Sequence, residues 1–166
     1  MKVLVVYGSK RAGTAGLAEM LGVDLRARGF AVGVEDAAAM PPVSDYDAVV
    51  VGGALYAGRW HADARRFVKR NARELRRRPV FLFSSGPLDD SASDEDLPPT
   101  RQVRKLMQRV GAEDHKTFGG RLESDAAGFA AHAMAKEHAG DWRDSSEVNH
   151  WAAHLAAALH GATAQS

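Results

Sequence analysis

Short runs of aliphatic residues alternate along this chain with stretches whose apolar positions recur every three or four residues. Each change of period predicts a change of element. Val3, Leu4, Val5 and Val6 form an unbroken apolar run of the kind buried on both faces of a sheet. Leu17, Met20, Leu21 and Leu25 then share one helical face between Thr14 and Gly29, with Gly29 placed as a C-cap. A second strand is predicted over 30–35. Residues 37–40 leave room only for a short helix or loop, because Pro41 and Pro42 stop propagation. A third strand over 48–51 ends in Gly52 and Gly53. Ala64, Phe67, Val68, Asn71 and Leu75 mark one face of a helix that Pro79 ends, and 80–83 is the fourth strand. Residues 84–99 carry no apolar period but include Asp89, Asp90, Asp94, Glu95 and Asp96, which predicts a long loop. A helix over 100–110 presents Val103, Leu106, Met107 and Val110, and a fifth strand follows over 116–122. Residues 123–146 are rich in Ala, His and Gly without a clean period. Val148, Trp151, Leu155 and Leu159 make the closing helix.

Five buried strands separated by helical crossovers predict an α/β fold with a doubly wound parallel sheet between two helical layers. Strand order 2-1-3-4-5 is one of two common solutions, and ligands of such sheets bind outside the carboxyl ends of the strands. The loops to inspect are therefore 8–13, 53–61 and 84–96. At 166 residues the chain matches one domain spanning 1–166, with no internal repeat and no linker.

Composition narrows the chemistry. Lys and Arg number 22 against 21 Asp and Glu, a net charge of +1 that excludes a chain-wide polyanion binder. The absence of cysteine excludes disulfides, a thiol nucleophile and Cys-ligated metal sites. No apolar stretch reaches the roughly 18 residues a membrane span needs, so a cytoplasmic protein without an integral span is expected. Residues 63–78 are strongly basic. That face reads as a solvated outer surface offset by the acidic loop, and without interleaved aromatics it does not predict nucleic-acid binding. His150 and His154 have metal-ligand spacing but lack the intervening Glu of a zinc motif, so they are expected to face solvent and no metal is expected. Apolar residues on helices outside the core leave a homodimer open.

The first loop, GSKRAGT, joins a buried strand to a helix, where unpaired amides and the dipole favour an anion. Ser9 and Thr14 can donate hydroxyl hydrogen bonds, and Lys10 or Arg11 can add charge. Gly8 and Gly13 have Walker A spacing, but Thr14 and Ala15 stand where Lys and Ser or Thr are required. The dinucleotide fingerprint is missing too, since Lys10 occupies its second glycine position, although Glu35 sits where a ribose-binding acid would. A phospho-receiver fails because Gly52 and Gly53 replace the acceptor aspartate. In the second loop, GGALYAGRWH, glycines admit close backbone approach while Tyr56 and Trp60 offer flat faces for an aromatic cofactor. Ser84, Ser85 and Gly86 leave the fourth strand in a turn whose amides could meet a ring edge.

These residues carry a family resemblance. SKRAGT resembles the flavodoxin phosphate loop, matching at Ser9 and Thr14 and departing at Arg11 and Ala12. The wider pattern of VLVVYGSKRAGTAGLAEML, YDAVVVGGALYAGRWHADARRFVKRN and VFLFSSGPLDD resembles the flavodoxin-like, menaquinone-dependent protoporphyrinogen dehydrogenases. Gly53 and Ala54, Ala57 and Gly58, His61 and the run from Phe67 to Lys69 follow their pattern, as does the late GDWRDSSEVNHW segment.

The resemblance implies an FMN-dependent oxidoreductase acting on a small electron donor or acceptor such as a porphyrinogen or a quinone. It implies that Ser9, Lys10, Arg11, Ala12, Gly13 and Thr14 hold the phosphate. Ala54, Leu55, Tyr56, Ala57, Gly58 and Trp60, with Ser84, Ser85 and Gly86, would frame the isoalloxazine. The flavin needs no side-chain nucleophile, so no catalytic residue is assigned, and Arg59 and His61 read as polar residues at a helix start. A non-catalytic electron carrier and a flavodoxin-like scaffold without FMN are the alternatives. Electron-shuttle flavodoxins are strongly acidic, unlike this chain at +1.

Overall fold

The computed structural model describes residues 1–9, 12–86, 97–119 and 145–165. Strand β1 (Lys2–Gly8) leads into helix α1 (Ala12–Arg26), and β2 (Ala31–Asp36) ends in a single 3-10 turn (Ala37–Ala39) capped by the Asp36 carboxylate. Strand β3 (Ala48–Tyr56) turns back into the two-residue strand β4 (Arg59–Trp60). Helices α2 (Ala62–Arg70) and α3 (Ala72–Leu75) precede β5 (Val80–Ser85). Helix α4 (Arg101–Val110), strand β6 (Asp114–Phe118) and helix α5 (Ser145–Gln165) complete the described elements.

The sheet runs β2-β1-β3-β5-β6 with every neighbouring pair parallel, and β4 pairs antiparallel with β3. Counting the parallel strands alone, this is the expected order 2-1-3-4-5. Alternation within the strands divides the core. Val3, Val5, Val50, Phe81 and Phe83 pack with Leu17, Leu21 and Leu25 of α1 and Trp151 and Leu155 of α5. Leu4, Val6, Val49, Val51 and Leu82 pack with Phe67 and Val68 of α2, Leu75 of α3 and Val103 and Leu106 of α4. Period-two strands bury both faces only when helices cover each, which is why these runs are continuously apolar.

Several boundaries differ from the sequence reading. The fifth parallel strand begins at Asp114, two residues before the expected start, because Phe81 to Ser85 of β5 take Asp114 to Phe118 as partners; residues 120–122 lie outside the described residues. The helix over 64–75 breaks at Asn71, whose backbone N–H and side-chain amide both donate to the Phe67 carbonyl. Arg78, counted with the solvated basic face, is instead tucked under the sheet edge, donating to the Val43, Tyr46 and Glu74 carbonyls and to the Glu74 carboxylate. The acidic stretch 89–96 and most of 123–146 lie outside the described residues.

Candidate functional site

Gly8, Gly53, Ser84 and Thr117 stand in one row across β1, β3, β5 and β6, so the loops after these strands leave the sheet from the same edge. The strand order reverses between β1 and β3, the position at which doubly wound sheets open a crevice. Gly8 is required there: a Cβ would lie 2.6 Å from the Ala64 nitrogen, so only glycine lets α2 pack down beside the end of β1.

The first loop enters α1 directly. Ala12 opens the helix, and Gly13 and Thr14 are buried in its first turn, where amides have no intrahelical acceptor. Thr14 is 1% exposed and its Oγ1 has no hydrogen-bond partner among the described residues. A buried hydroxyl left unpaired costs about 1–3 kcal/mol, so a group that accepts from it would be held firmly. Lys10 and Arg11 lie outside the described residues.

The second loop is a β-hairpin that the sequence reading treated as irregular. Leu55 pairs with Trp60 and Tyr56 with Arg59, leaving Ala57 and Gly58 as a two-residue turn with φ of 51° and 79°. Positive φ at both central residues is the type I′ arrangement, which matches strand twist. Tyr56, 39% exposed, stands at the hairpin tip with its ring edge-on to His61, centroids 6.1 Å apart. His61 Nδ1 accepts from the Asp63 N–H at 3.2 Å and caps α2.

Trp60 departs from the expectation of an open flat face. It is 1% exposed and its ring covers the backbone of Gly53 on the α2 side of the sheet. Gly52 is covered on the opposite side by Phe83. The two glycines thus admit this chain's own aromatics. The physical reason is parity: Trp60 pairs with inward-facing Leu55, while Tyr56 and Arg59 occupy the exposed positions.

In the third loop the Ser84 side chain is likewise committed to the interior. Its Oγ accepts from Trp60 Nε1 at 2.9 Å and lies 2.9 Å from His115 Nε2 on β6. Ser85 is paired with Ala54 across β5 and β3, and Gly86, with φ 134°, donates its N–H to the Phe118 carbonyl at 2.9 Å. The second and third loops are therefore adjacent, and among the described residues they offer a ligand backbone together with Tyr56. His115 and Gln102, whose Oε1 accepts from the Trp60 N–H, were missed by sequence reasoning because each meets its partner across more than thirty residues without a local motif.

Elsewhere, His154 Nε2 approaches Asp114 Oδ2 at 3.3 Å, and the same oxygen accepts from Trp151 Nε1. It is thus held to β6 rather than pointing only to solvent. Among the described residues no three of His, Asp and Glu gather closely enough to hold a metal ion, and no helix is long and apolar enough to cross a membrane.

Comparison with known proteins agrees with this architecture. No curated protein matches the chain. A cysteine-to-serine mutant of flavodoxin from Pseudomonas aeruginosa has a similar structure, with TM-score 0.61 and 18% identity over 96% of this chain and 99% of that one. Oxidised flavodoxin 1 from Bacillus cereus gives a TM-score of 0.54 at 17% identity, covering 82% of this chain and 96% of the other. A histidine-to-alanine mutant of a flavo di-iron protein from Thermotoga maritima gives 0.60 at 15% identity, over 92% of this chain and 34% of that larger one. The family model of the flavodoxin domain matches residues 4–143, and with the strand order and the three loops at one sheet edge this places the chain in the flavodoxin domain family.

Proposed function

We propose that the chain binds FMN at the carboxyl edge of its sheet and serves as a redox protein. The observation that carries the reading is the buried Thr14 hydroxyl in the first turn of α1, which has no partner among the described residues. A phosphate there would accept from Thr14 Oγ1 and from the amides of Gly13 and Thr14, with Ser9 beside them and the charges of Lys10 and Arg11 from the same loop. The backbone from Ala54 to Gly58 and from Ser84 to Gly86 frames the ring. Of the two aromatics expected to offer a flat face, Tyr56 takes the stacking role, since it is the exposed aromatic of that hairpin. FMN, when bound, supplies the electron-accepting and electron-releasing chemistry. The chain's residues position it and hold its charge.

Replacing Thr14 tests the reading. Thr14→Val should leave the flavin-free protein as stable as the parent or more so, because an unpaired buried hydroxyl is removed. FMN affinity should fall about tenfold or more in a fluorescence titration, the worth of a hydrogen bond to a charged group, and Thr14→Ser should recover most of it. Unchanged affinity in Thr14→Val would move the phosphate elsewhere. An absence of FMN uptake by the parent chain would favour the scaffold reading.

The narrower reading is an oxidoreductase that oxidises a porphyrinogen or reduces a quinone. It rests on the resemblance of the β3–β4 loop and the following helix to the protoporphyrinogen dehydrogenases, and on the exposed Tyr56 ring, which leaves a flat partner access to this edge. Catalytic turnover of protoporphyrinogen with a soluble menaquinone analogue would support it. Stoichiometric electron exchange alone would leave an electron carrier.

A further inference from the structure

The hairpin that carries Tyr56 also forms one wall of a cleft of about 850 Å³, whose other walls are α2 and α4. The cleft is lined by Arg59, Lys69, Arg101, Lys105 and Arg109, with Leu106 and the turn residues Ala57 and Gly58 also in its walls. Helices α2 and α4 together hold eight cationic side chains and a single carboxylate, Asp63, which is engaged by Arg66 at 3.2 Å. None of the five cleft cations lies within 4 Å of a carboxylate among the described residues. A second depression adjoins the first through Lys69 and is lined by Arg65, Arg66 and Arg70. The cleft wall is braced, because the Trp60 N–H donates to Gln102 Oε1 of α4 and Arg65 Nε donates to the Trp60 carbonyl.

We propose that this basic face docks an acidic protein that exchanges electrons with the chain at the adjoining loop edge. The inference rests on the redox reading above and adds the charge and location of its partner. Two features favour a protein over a small anion. The five cleft cations are all exposed and none is held in place by a hydrogen bond among the described residues, so they do not form a preorganised anion cradle. They also continue along α2 beyond the cleft, as a broad field suited to an extended acidic surface. Among the described residues the carboxylates Glu19 and Asp24 lie on α1 and Glu35 and Asp36 on β2, away from α2 and α4, which makes the attraction directional. In the transfer, one electron leaves the partner's reduced centre, which is oxidised, and enters the bound flavin, which is reduced. No atom is exchanged.

The test uses a plant-type [2Fe–2S] ferredoxin as an acidic one-electron probe. Calorimetric binding of oxidised ferredoxin to the flavin-free chain should weaken about tenfold or more between about 50 and 200 mM salt. Lys105→Glu with Arg109→Glu should weaken it comparably at low salt while leaving the urea midpoint unchanged, and Lys69→Glu gives an independent second variant. With the FMN-loaded chain, flavin bleaching by reduced ferredoxin should slow in the same variants. Equal binding by parent and charge-reversed chains, or no binding, overturns the docking face. Tighter cleft-dependent binding of inorganic pyrophosphate or a single-stranded DNA 12-mer would overturn it in favour of those anions. Cleft-dependent ferredoxin binding by a chain that takes up no FMN would keep the face and end the flavin reading.

Discussion

Trp60 Nε1 donates to Ser84 Oγ across 2.9 Å inside the sheet, tying the short strand β4 to β5. The bond explains how a two-residue strand is held. The indole fills the space above Gly53, its N–H is satisfied, and the same Ser84 oxygen lies 2.9 Å from His115 Nε2 on β6. A polar chain crossing three strands replaces apolar packing at this end of the core.

Removing the Ser84 hydroxyl leaves the buried Trp60 N–H without its acceptor. Ser84→Ala should cost about 1–3 kcal/mol in urea unfolding, because the buried Trp60 N–H loses its acceptor. Trp60→Phe should cost a similar amount and Trp60→Ala about 3–5 kcal/mol, the usual range for emptying a large aromatic site. A Trp60→Phe variant as stable as the parent would show that the hydrogen bond contributes little.

Gly52 and Phe83 are matched in size. A methyl group at Gly52 would occupy the space of the Phe83 ring. Gly52→Ala should therefore destabilise by about 1–3 kcal/mol through overpacking. Adding Phe83→Leu should recover part of that loss, and strictly additive costs in the double variant would argue against direct contact.

Arg78 makes its hydrogen bonds with a fork that lysine cannot reproduce. Its guanidinium donates to the Val43 and Tyr46 carbonyls and to Glu74 Oε2, joining the loop before β3 to α3. Arg78→Lys should cost about 1–3 kcal/mol and Arg78→Ala at least as much, measured by chemical denaturation. Neighbouring Arg77, more exposed and, among the described residues, paired only with Glu74, should tolerate alanine within about 0.5 kcal/mol.

Tyr7 predicts a pH dependence. Burial, and then the nearby negative charges of Asp36, Glu19 and Glu35, raise its phenol above the ordinary value of 10.0. The folded state thus binds the phenolic proton more tightly than the unfolded chain does. The stabilisation it contributes is complete below pH 10.0 and is lost as pH rises through the folded pKa. Tyr7→Phe should flatten the decline of the thermal midpoint above about pH 10. An identical alkaline decline in both proteins would assign it to other groups.

The strand runs of β1, β3 and β5 were legible because short runs of β-branched and aromatic residues, bounded by turn residues, are the pattern of strands covered on both faces. The α1 face was legible because Leu17, Leu21 and Leu25 repeat at the helical period. From these the parallel sheet and the edge where its loops gather follow by topology alone. The hairpin was not legible, because Ala57 and Gly58 lack the Asn-Gly pairing that announces a type I′ turn.

Local pattern also located the loops without assigning the work of their side chains. Tyr56 and Trp60 are equivalent as aromatic residues in one loop, yet strand pairing turns one outward and buries the other over Gly53. Ser84 is spent on Trp60 and His115, while the buried Thr14 hydroxyl has no partner among the described residues. Such differences arise from contacts between residues dozens of positions apart. Periodicity, set by neighbours within a turn or a strand, carries the elements and their faces; the partners of each polar atom are fixed when those elements pack.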